Sequence, residues 1–424
     1  MIDTIFALSS GPAPAAIGVI RVSGPDAGPA LERLAGPRPA PRVATLRRLR
    51  DSAGALLDEA LVLWFPGPAS ATGEDCAELH CHGGRAVLAA VLSELHATSG
   101  LREGEPGEFT RRAFENGRID LAQAEALADL LAAETELQRR VAQAGVGGAL
   151  SNQVGRWRDE VLTLSAIVEA FLDFNEDDDI HGLPDDFWRR WRALCGELTR
   201  TLALPRGERL REGVRVVIAG PPNSGKSSLF NALIGEGAAI VSDRAGTTRD
   251  VLERSVAFSG VPFVLIDTAG LRERSEADAI EVIGMQKAQD ELERADVILW
   301  LGSEGGGPEG ALEIEAKSDD HLHAVKQRPD FALSSKTGLG LEKLVAGLVS
   351  IADTVLPGPT TATINARQAD LIAAAARALE DESGDPLIIA EALKEARRAF
   401  DKLLGNAGVE DMLDALFGRF CIGK

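Results

Sequence analysis

The feature that most constrains this chain is a strand that runs into a glycine-rich turn and then into a helix. The β-branched run VRVVIAG over 214–220 leads into GPPNSGKS over 220–227, and the helical SLFNALIG follows. The turn matches the phosphate-binding pattern G-x-x-x-x-G-K-S in the context that this pattern requires. In such a loop backbone N–H groups point at phosphates, the lysine (Lys226) neutralises them, and the serine (Ser227) ligates Mg²⁺. A chance glycine turn is the alternative, and the flanking strand and helix argue against it.

Further short motifs follow the loop in the order that a GTPase requires. They read GTTRD at 246–250, DTAG at 267–270, AKSD at 316–319 and SSK at 334–336. Thr248 is the predicted switch threonine for Mg²⁺, Asp267 supports the same ion, and the Gly270 N–H senses the γ-phosphate. The Asp319 carboxylate is expected to accept two hydrogen bonds from guanine that adenine cannot donate. Each motif alone could be a surface loop, and their order makes the set specific.

Two positions depart from the usual GTPase pattern. Ala316 stands where the base-reading motif has Asn, so we expect guanine preference to survive through Asp319 at reduced affinity. Leu271 stands where small GTPases such as Ras have the glutamine that orients the attacking water. Either another carboxylate and another positive charge serve hydrolysis, or the protein is only a nucleotide switch.

Charge and composition limit the partners of the chain. Its 424 residues carry 45 Lys and Arg against 65 Asp and Glu, a net charge of −20, so a nucleic acid must be met through a local basic patch or another protein. Aromatic residues make up 4% with no Tyr, which argues against base-stacking platforms. Four cysteines, no signal peptide and no membrane-length apolar run predict a cytoplasmic protein without a membrane span.

The pattern of elements along the chain predicts a multidomain fold with α/β and all-α parts. Residues 1–117 read as mixed α/β, 118–212 as long helices, 213–353 as a parallel α/β domain and 354–424 as helices again. A lone three-helix tail would have trouble covering its apolar faces, so we expect it to pack on the helices of 118–212. The nucleotide-binding domain is then an insertion into a helical domain.

Longer stretches match a known family: GPPNSGKSSLFNAL, AIVSDRAGTTRD, IDTAGLRE, FPGPASATGEDCAELHCHGG, PGEFTRRAFENGRIDLAQAEALADLL and the terminal FCIGK. On these residues the chain resembles the MnmE (TrmE) family of tRNA-modification GTPases. The resemblance implies a dimerising N-terminal folate-binding domain, a split helical domain and an inserted Ras-like P-loop GTPase domain. It also implies a K⁺-stimulated homodimer that forms a heterotetramer or larger complex with the FAD-dependent MnmG, through which it meets tRNA. That complex uses a formyl- or methylene-tetrahydrofolate to install an aminomethyl or carboxymethylaminomethyl group at C5 of the wobble uridine.

For the nucleotide site, the resemblance implies that K⁺ stands in for an arginine finger and that Glu281 orients the attacking water. Lys226 and Cys421 are the other predicted catalytic residues. Mg²⁺ is assigned to Ser227 and Thr248, and K⁺ to Asn223, Ser242, Arg244 and Thr247. The predicted GTP contacts are Asn223, Ser224, Gly225, Lys226, Ser227, Ser228, Ser242, Asp243, Arg244, Ala245, Gly246, Thr247, Thr248, Asp267, Thr268, Ala269, Gly270, Lys317, Asp319, Ser334, Ser335 and Lys336.

For the folate site, the resemblance assigns Arg21, Glu78, Arg118 and Lys424. Basic groups suit the glutamate tail of folate, and a carboxylate suits the pterin edge. Arg118 is often Lys in relatives, and Ala15-Ala16 stand where relatives often have glycines. Cys421 near the chain end is either a thiol that approaches this chemistry or a small buried hydrophobe.

Three alternatives remain open. Cys76, His80, Cys81 and His82 cluster in a way that suggests zinc, but no second ligand pair follows, and a strand over 77–82 would put Glu78, His80 and His82 on one face. A folate-site or core role for this segment is therefore favoured. The chain as a whole could instead be a regulatory or assembly GTPase without one-carbon chemistry, or a scaffold that has lost turnover.

Overall fold

A computed structural model describes residues 3–174, 182–239, 253–268, 289–319, 325–358, 363–380, 384–406, 410–418 and 420–424. The chain divides into two compact units, Met1–Ala128 with Phe400–Lys424, and Asp129–Ala399. None of the helices in the described ranges combines the length and the apolar character that a membrane crossing needs.

The first unit is built on a six-stranded sheet in the order β3-β4-β5-β2-β1-β6. Neighbouring strands run antiparallel, except that β6 is parallel to β1. The strands are β1 Thr4–Leu8, β2 Ile17–Ser23, β3 Thr45–Arg50, β4 Leu56–Phe65, β5 Cys76–His82 and β6 Leu101–Glu103.

Helices α1 (Ala27–Ala35) and α2 (Arg85–His96) share one apolar core with this sheet. Ile20 of β2 and Leu79 of β5 enter that core, because alternate residues of a strand point to opposite faces. On the other face Arg21 lies opposite Glu78, and Val19 lies opposite His80. The predicted sharing of one face by Glu78, His80 and His82 is therefore confirmed.

The C-terminal end of the chain packs on the helices that follow the sheet. Helix α3 (Glu108–Glu115) buries Phe109 against β1, and α4 (Leu121–Leu131) follows it. Leu413 and Phe417 of α13 (Glu410–Phe417), together with Phe420, form one apolar cluster with residues of α4. This contact confirms the expectation for α4, the first of the helices within 118–212.

The second unit contains a seven-stranded sheet in the order β13-β12-β11-β7-β10-β9-β8. The strands from β13 to β10 are parallel, while β9 is antiparallel to both neighbours, which confirms the predicted parallel α/β domain. The strands are β7 Val214–Ala219, β8 Ala238–Ala239, β9 Glu253–Phe258, β10 Val261–Asp267, β11 Val297–Trp300, β12 Leu312–Glu315 and β13 Phe331–Ala332. Helices α9 (Lys226–Glu236) and α10 (Leu341–Val355) bury leucines in the core of this sheet.

Further helices of the second unit pack beside one another and against the sheet. They are α5 Glu136–Val146, α6 Ala149–Phe174, α7 Asp185–Leu202, α8 Gly207–Glu212, α11 Ala366–Ala378 and α12 Pro386–Leu404, the last of which continues past Ala399. The fully buried Trp191 of α7 donates its indole N–H to the Leu379 carbonyl, 3.1 Å away, just after α11. Helix α5 contacts the β9–β10 turn, where the Leu137 N–H donates to the Gly260 carbonyl at 3.0 Å.

Candidate functional site: a phosphate loop and an arginine–carboxylate pair

The phosphate loop lies between the end of β7 and the first residue of α9. Gly225, just before the helix, has a φ of 99°, a left-handed value that favours glycine. The Lys226 side chain is buried, and its ammonium donates to the carbonyls of Gly220 and Pro221 at 3.0 and 2.8 Å. The N-terminus of a helix and a lysine ammonium therefore meet at this loop, which is the arrangement that binds phosphates.

The neighbouring strand brings a carboxylate to the same place. Parallel strands β7 and β10 are adjacent, so the last residue of β10, Asp267, lies beside the loop that follows β7. The Ser227 hydroxyl donates to Asp267 Oδ2 at 2.7 Å. Thr268, the next residue, is buried and donates its hydroxyl to the Ile218 carbonyl at 3.0 Å. The structure thus brings Lys226, Ser227 and Asp267 together, as the motif spacing predicted.

The two proposed base-reading motifs also meet at the loop. Lys317 and Ser334 form an isolated antiparallel bridge, and the Ser318 N–H donates to the Leu333 carbonyl at 3.1 Å. The Lys317 ammonium donates to the Asn223 carbonyl at 3.2 Å, a contact that the motifs alone did not predict. Asp319 and Lys336 are exposed and Ser335 is half-buried in the same two loops.

Ala316 lies directly against the phosphate loop. It is buried, and a methyl group built on Gly225 would lie 3.8 Å from its side chain. The position at which the usual pattern has Asn therefore presents a methyl group near Gly225 of the loop in this chain.

Several predicted site residues lie outside the described ranges. They are Ser242, Asp243, Arg244, Ala245, Gly246, Thr247, Thr248, Ala269, Gly270, Leu271 and Glu281. The K⁺ loop, the switch threonine and the water-orienting acid therefore stay predictions. Asn223 and Ser228 are described, and both are exposed on the loop and the first turn of α9.

In the first unit, two of the predicted folate residues are in direct contact. The Arg21 guanidinium donates through Nε and one terminal nitrogen to Glu78 Oε1, at 3.1 and 2.9 Å, and lies 5.8 Å from the centre of the Phe109 ring. Burial works to raise the pKa of Glu78, but the hydrogen bond from His80 and the charge of Arg21 hold that pKa below its usual value. The carboxylate is therefore ionised at neutral pH, and it has a cation beside it.

The other two predicted folate residues are placed by the backbone of the same unit. Arg118 follows α3, where its N–H donates to the Ala113 carbonyl at 2.8 Å, and its side chain lies close to Gly73. The half-buried Lys424 closes a turn in which its N–H donates to the Cys421 carbonyl at 3.2 Å. Cys421 is exposed, so the buried-hydrophobe alternative for this thiol is wrong.

Sequence reasoning favoured a folate-site or core role for the segment that contains His80, but it named no partner for the ring. Its ring nitrogen Nε2 lies 3.1 Å from Glu78 Oε2. Strand alternation predicted the shared face, but the direction in which the ring turns depends on side-chain rotamers that the alternation does not specify.

A strand–loop–helix phosphate site, with an aspartate on the neighbouring parallel strand and a lysine-bearing loop after β12, defines a P-loop nucleotide-binding protein of the GTPase class. Comparison with known families agrees with this class. The family model described as GTP-binding protein TrmE N-terminus matches residues 4–118, and the MnmE helical domain model matches residues 121–421.

Relatives that match this chain over its whole length carry the name MnmE as well. The tRNA modification GTPase MnmE of Erythrobacter litoralis is 60% identical over 424 residues, covering 100% of both chains. The proteins of the same name from Novosphingobium aromaticivorans and Rhizorhabdus wittichii are each 54% identical, covering 100% of this chain and 100% and 97% of theirs. The chain belongs to the MnmE family of tRNA modification GTPases.

Proposed function

We propose that this chain hydrolyses GTP to GDP and phosphate in the course of tRNA modification, and that K⁺ stimulates the hydrolysis. The observation that carries the proposal is the Ser227–Asp267 contact beside the Lys226 ammonium at the start of α9. Family membership over the full length of the chain supports the same reaction and the tRNA target.

The residues at the loop fit the groups that the reaction needs. The Ser227 hydroxyl and the Asp267 carboxylate are hard oxygen donors of the kind that Mg²⁺ prefers, with Thr248 proposed as a further ligand. The exposed Asn223 amide and residues 242–247 are proposed to hold K⁺. When bound, the two cations supply positive charge at the phosphates. Lys226 neutralises the β- and γ-phosphates, and Glu281 is proposed to orient the water.

The test measures GTP turnover by the full chain in K⁺ and in Na⁺. We expect faster turnover in K⁺, loss of this difference in Asn223→Ala, and turnover about 100-fold slower in Glu281→Ala, because general-base assistance contributes that order of magnitude. Asn231→Ala, on the exposed face of α9, is the matched control for Asn223→Ala. Equal rates in K⁺ and Na⁺ would show that the cation assignment is wrong.

We further propose that the first unit binds a tetrahydrofolate one-carbon donor, with formyl and methylene forms as the candidates. The ion pair of Arg21 and Glu78 supports this, since it holds an ionised carboxylate that suits the N–H edge of a pterin. Calorimetry with 5-formyltetrahydrofolate tests it, and Arg21→Ala and Glu78→Ala are expected to bind more weakly than the wild type. No binding by a chain that binds GTP analogues would favour a regulatory or assembly GTPase.

The proposed assembly is a cytoplasmic homodimer that joins the FAD-dependent MnmG in a heterotetramer or larger complex. In that complex it would install the aminomethyl or carboxymethylaminomethyl group at C5 of the tRNA wobble uridine. Because the chain has a net charge of −20, MnmG is expected to supply most of the basic surface for tRNA. The isolated chain should bind tRNA weakly and with steep salt dependence. Tight binding at physiological salt would contradict the proposal that MnmG supplies most of the basic surface.

A further inference from the structure

Strand β5 carries two histidines on the face that also carries Glu78. His80 is two residues beyond Glu78, and His82 is two residues beyond His80. Each ring nevertheless meets a different carboxylate: His80 Nε2 lies 3.1 Å from Glu78 Oε2, and His82 Nδ1 lies 2.7 Å from Asp58 Oδ1. Only one of these two similar pairs thus involves a residue of the proposed folate site.

The two oxygens of the Glu78 carboxylate have separate partners. Both donating nitrogens of Arg21 contact Oε1, and the His80 ring contacts Oε2. A contact through one oxygen leaves the terminal torsion of a glutamate side chain free, because that torsion has a broad energy profile. Arg21 alone therefore fixes the place of the carboxylate but not its plane, and the contact from His80 fixes the plane.

We propose that His80 is a positioning residue that sets the plane of the Glu78 carboxylate for recognition of the pterin ring of a folate. The inference rests on the proposed folate site. A carboxylate recognises two adjacent N–H groups through two parallel hydrogen bonds, so both of its oxygens must lie in the plane of the ring. His80 acts on the ligand through Glu78. Its Nε2 carries the hydrogen that it donates, and the ring is partly exposed, with 29% of the side chain accessible.

Two substitutions of His80 separate positioning from packing. A glutamine places its amide nitrogen as many bonds from Cβ as Nε2 of histidine, so His80→Gln keeps a donor, while His80→Leu keeps volume without one. We expect His80→Leu to bind 5-formyltetrahydrofolate about tenfold more weakly than the wild type, as for loss of a hydrogen bond to a charged group. His80→Gln should stay within about threefold of the wild type. His82→Leu, on the same face but paired with Asp58, is the matched control and should leave the affinity unchanged.

A double-mutant cycle tests whether His80 acts through Glu78. If it does, His80→Leu should weaken binding no further in a Glu78→Ala background. The positioning role is wrong if His80→Leu weakens binding tenfold in both backgrounds. It is also wrong if wild type, His80→Leu and His80→Gln bind equally well. Neither result contradicts the proposed folate site itself. A wild type that binds no 5-formyltetrahydrofolate, while it binds a GTP analogue, overturns the proposed folate site and the inference with it.

Discussion

Replacing Arg112 of α3 tests how the N-terminal strand is held to the rest of the first unit. Its guanidinium is buried, with 8% of the side chain exposed, and it donates to the carboxylates of Asp3, Glu74 and Glu108 at 2.8, 3.2 and 2.9 Å. It also donates to the Asp3 carbonyl at 2.8 Å. Arg102 is the second cation of this cluster, and it pairs with Asp3 and Glu108.

Arg112→Met keeps most of the side-chain volume and removes the charge. Breaking a buried ion pair by removing one partner costs about 3–5 kcal/mol. Asp3 and Glu108 keep Arg102, whereas Glu74 keeps the Ser23 hydroxyl at 2.8 Å. Because two of the three carboxylates retain a cation, we expect the lower end of that range, about 3 kcal/mol at neutral pH.

The pH dependence of this cost follows from the carboxylates. The hydrogen bond from Arg102 lowers the pKa of Asp3, and for Glu108 the bonds from Arg102, the Glu105 N–H and Arg112 outweigh burial and lower the pKa as well. A carboxyl whose pKa is lower in the folded chain adds stability above its unfolded pKa, and loses it as the pH falls through the folded value. The wild type should thus lose stability in acid. The difference in stability between wild type and Arg112→Met should narrow as the pH falls below 4.5 and 3.8, the ordinary pKa values of Glu and Asp, because protonation of Glu108 and Asp3 removes charges that Arg112 pairs with.

Urea unfolding of the full chain, monitored by hydrogen exchange in peptides from β1 and α3, measures this difference in stability locally. A local measurement is needed because a chain of two units need not unfold in one step. Arg111→Met is the matched control: it removes an arginine from the same helix whose pairs with Glu115 and Asp414 are more exposed, and it should cost less than about 1 kcal/mol. Equal costs for the two variants, or a gap that widens in acid, would refute the reasoning.

Three further substitutions test single contacts. Ser224 has a buried hydroxyl without a hydrogen-bond partner among the residues that the structure describes, so Ser224→Ala should stabilise the second unit by about 1 kcal/mol, measured by urea unfolding, and a lower midpoint would contradict this. Gly423 has a φ of 90°, and a methyl group there would collide with the Leu8 carbonyl. Gly423→Ala should therefore displace the terminal turn and weaken folate binding in calorimetry. Unchanged binding would show that the terminal turn does not contribute to the site. Ala316→Asn should restore one hydrogen bond and slow the release of fluorescent GDP by up to about tenfold, whereas an unchanged rate would exclude a role for this position in affinity.

The sequence pattern predicted those features that depend on residues close to one another along the chain. The order of strand, G-x-x-x-x-G-K-S turn and helix specified the phosphate loop, and alternation along β5 specified which face carries Glu78 and His80. The cluster around Arg112 could not be predicted in this way, because Asp3 and Glu74 are remote from Arg112 in sequence and meet it only after β1, α3 and the loop before β5 have packed. Its pair with Glu108, four residues earlier on the same helix, is the one local contact among the three. Ion pairs of this kind depend on tertiary packing.

The contact between Lys317 and Asn223 has the same origin, and it adds something to the site. Lysine ammonium groups donate to three carbonyls of the phosphate loop: Lys226 donates to those of Gly220 and Pro221, and Lys317 to that of Asn223. Cations on these carbonyl oxygens leave fewer acceptors for the N–H groups of the loop, and such N–H groups are what binds a triphosphate. When a triphosphate binds, its charged oxygens can replace the neutral carbonyls as acceptors for the Lys226 ammonium, which then pairs with an opposite charge. The loop is thus prepared for phosphate by contacts from two separate motifs, its own G-x-x-x-x-G-K-S sequence and the AKSD sequence after β12.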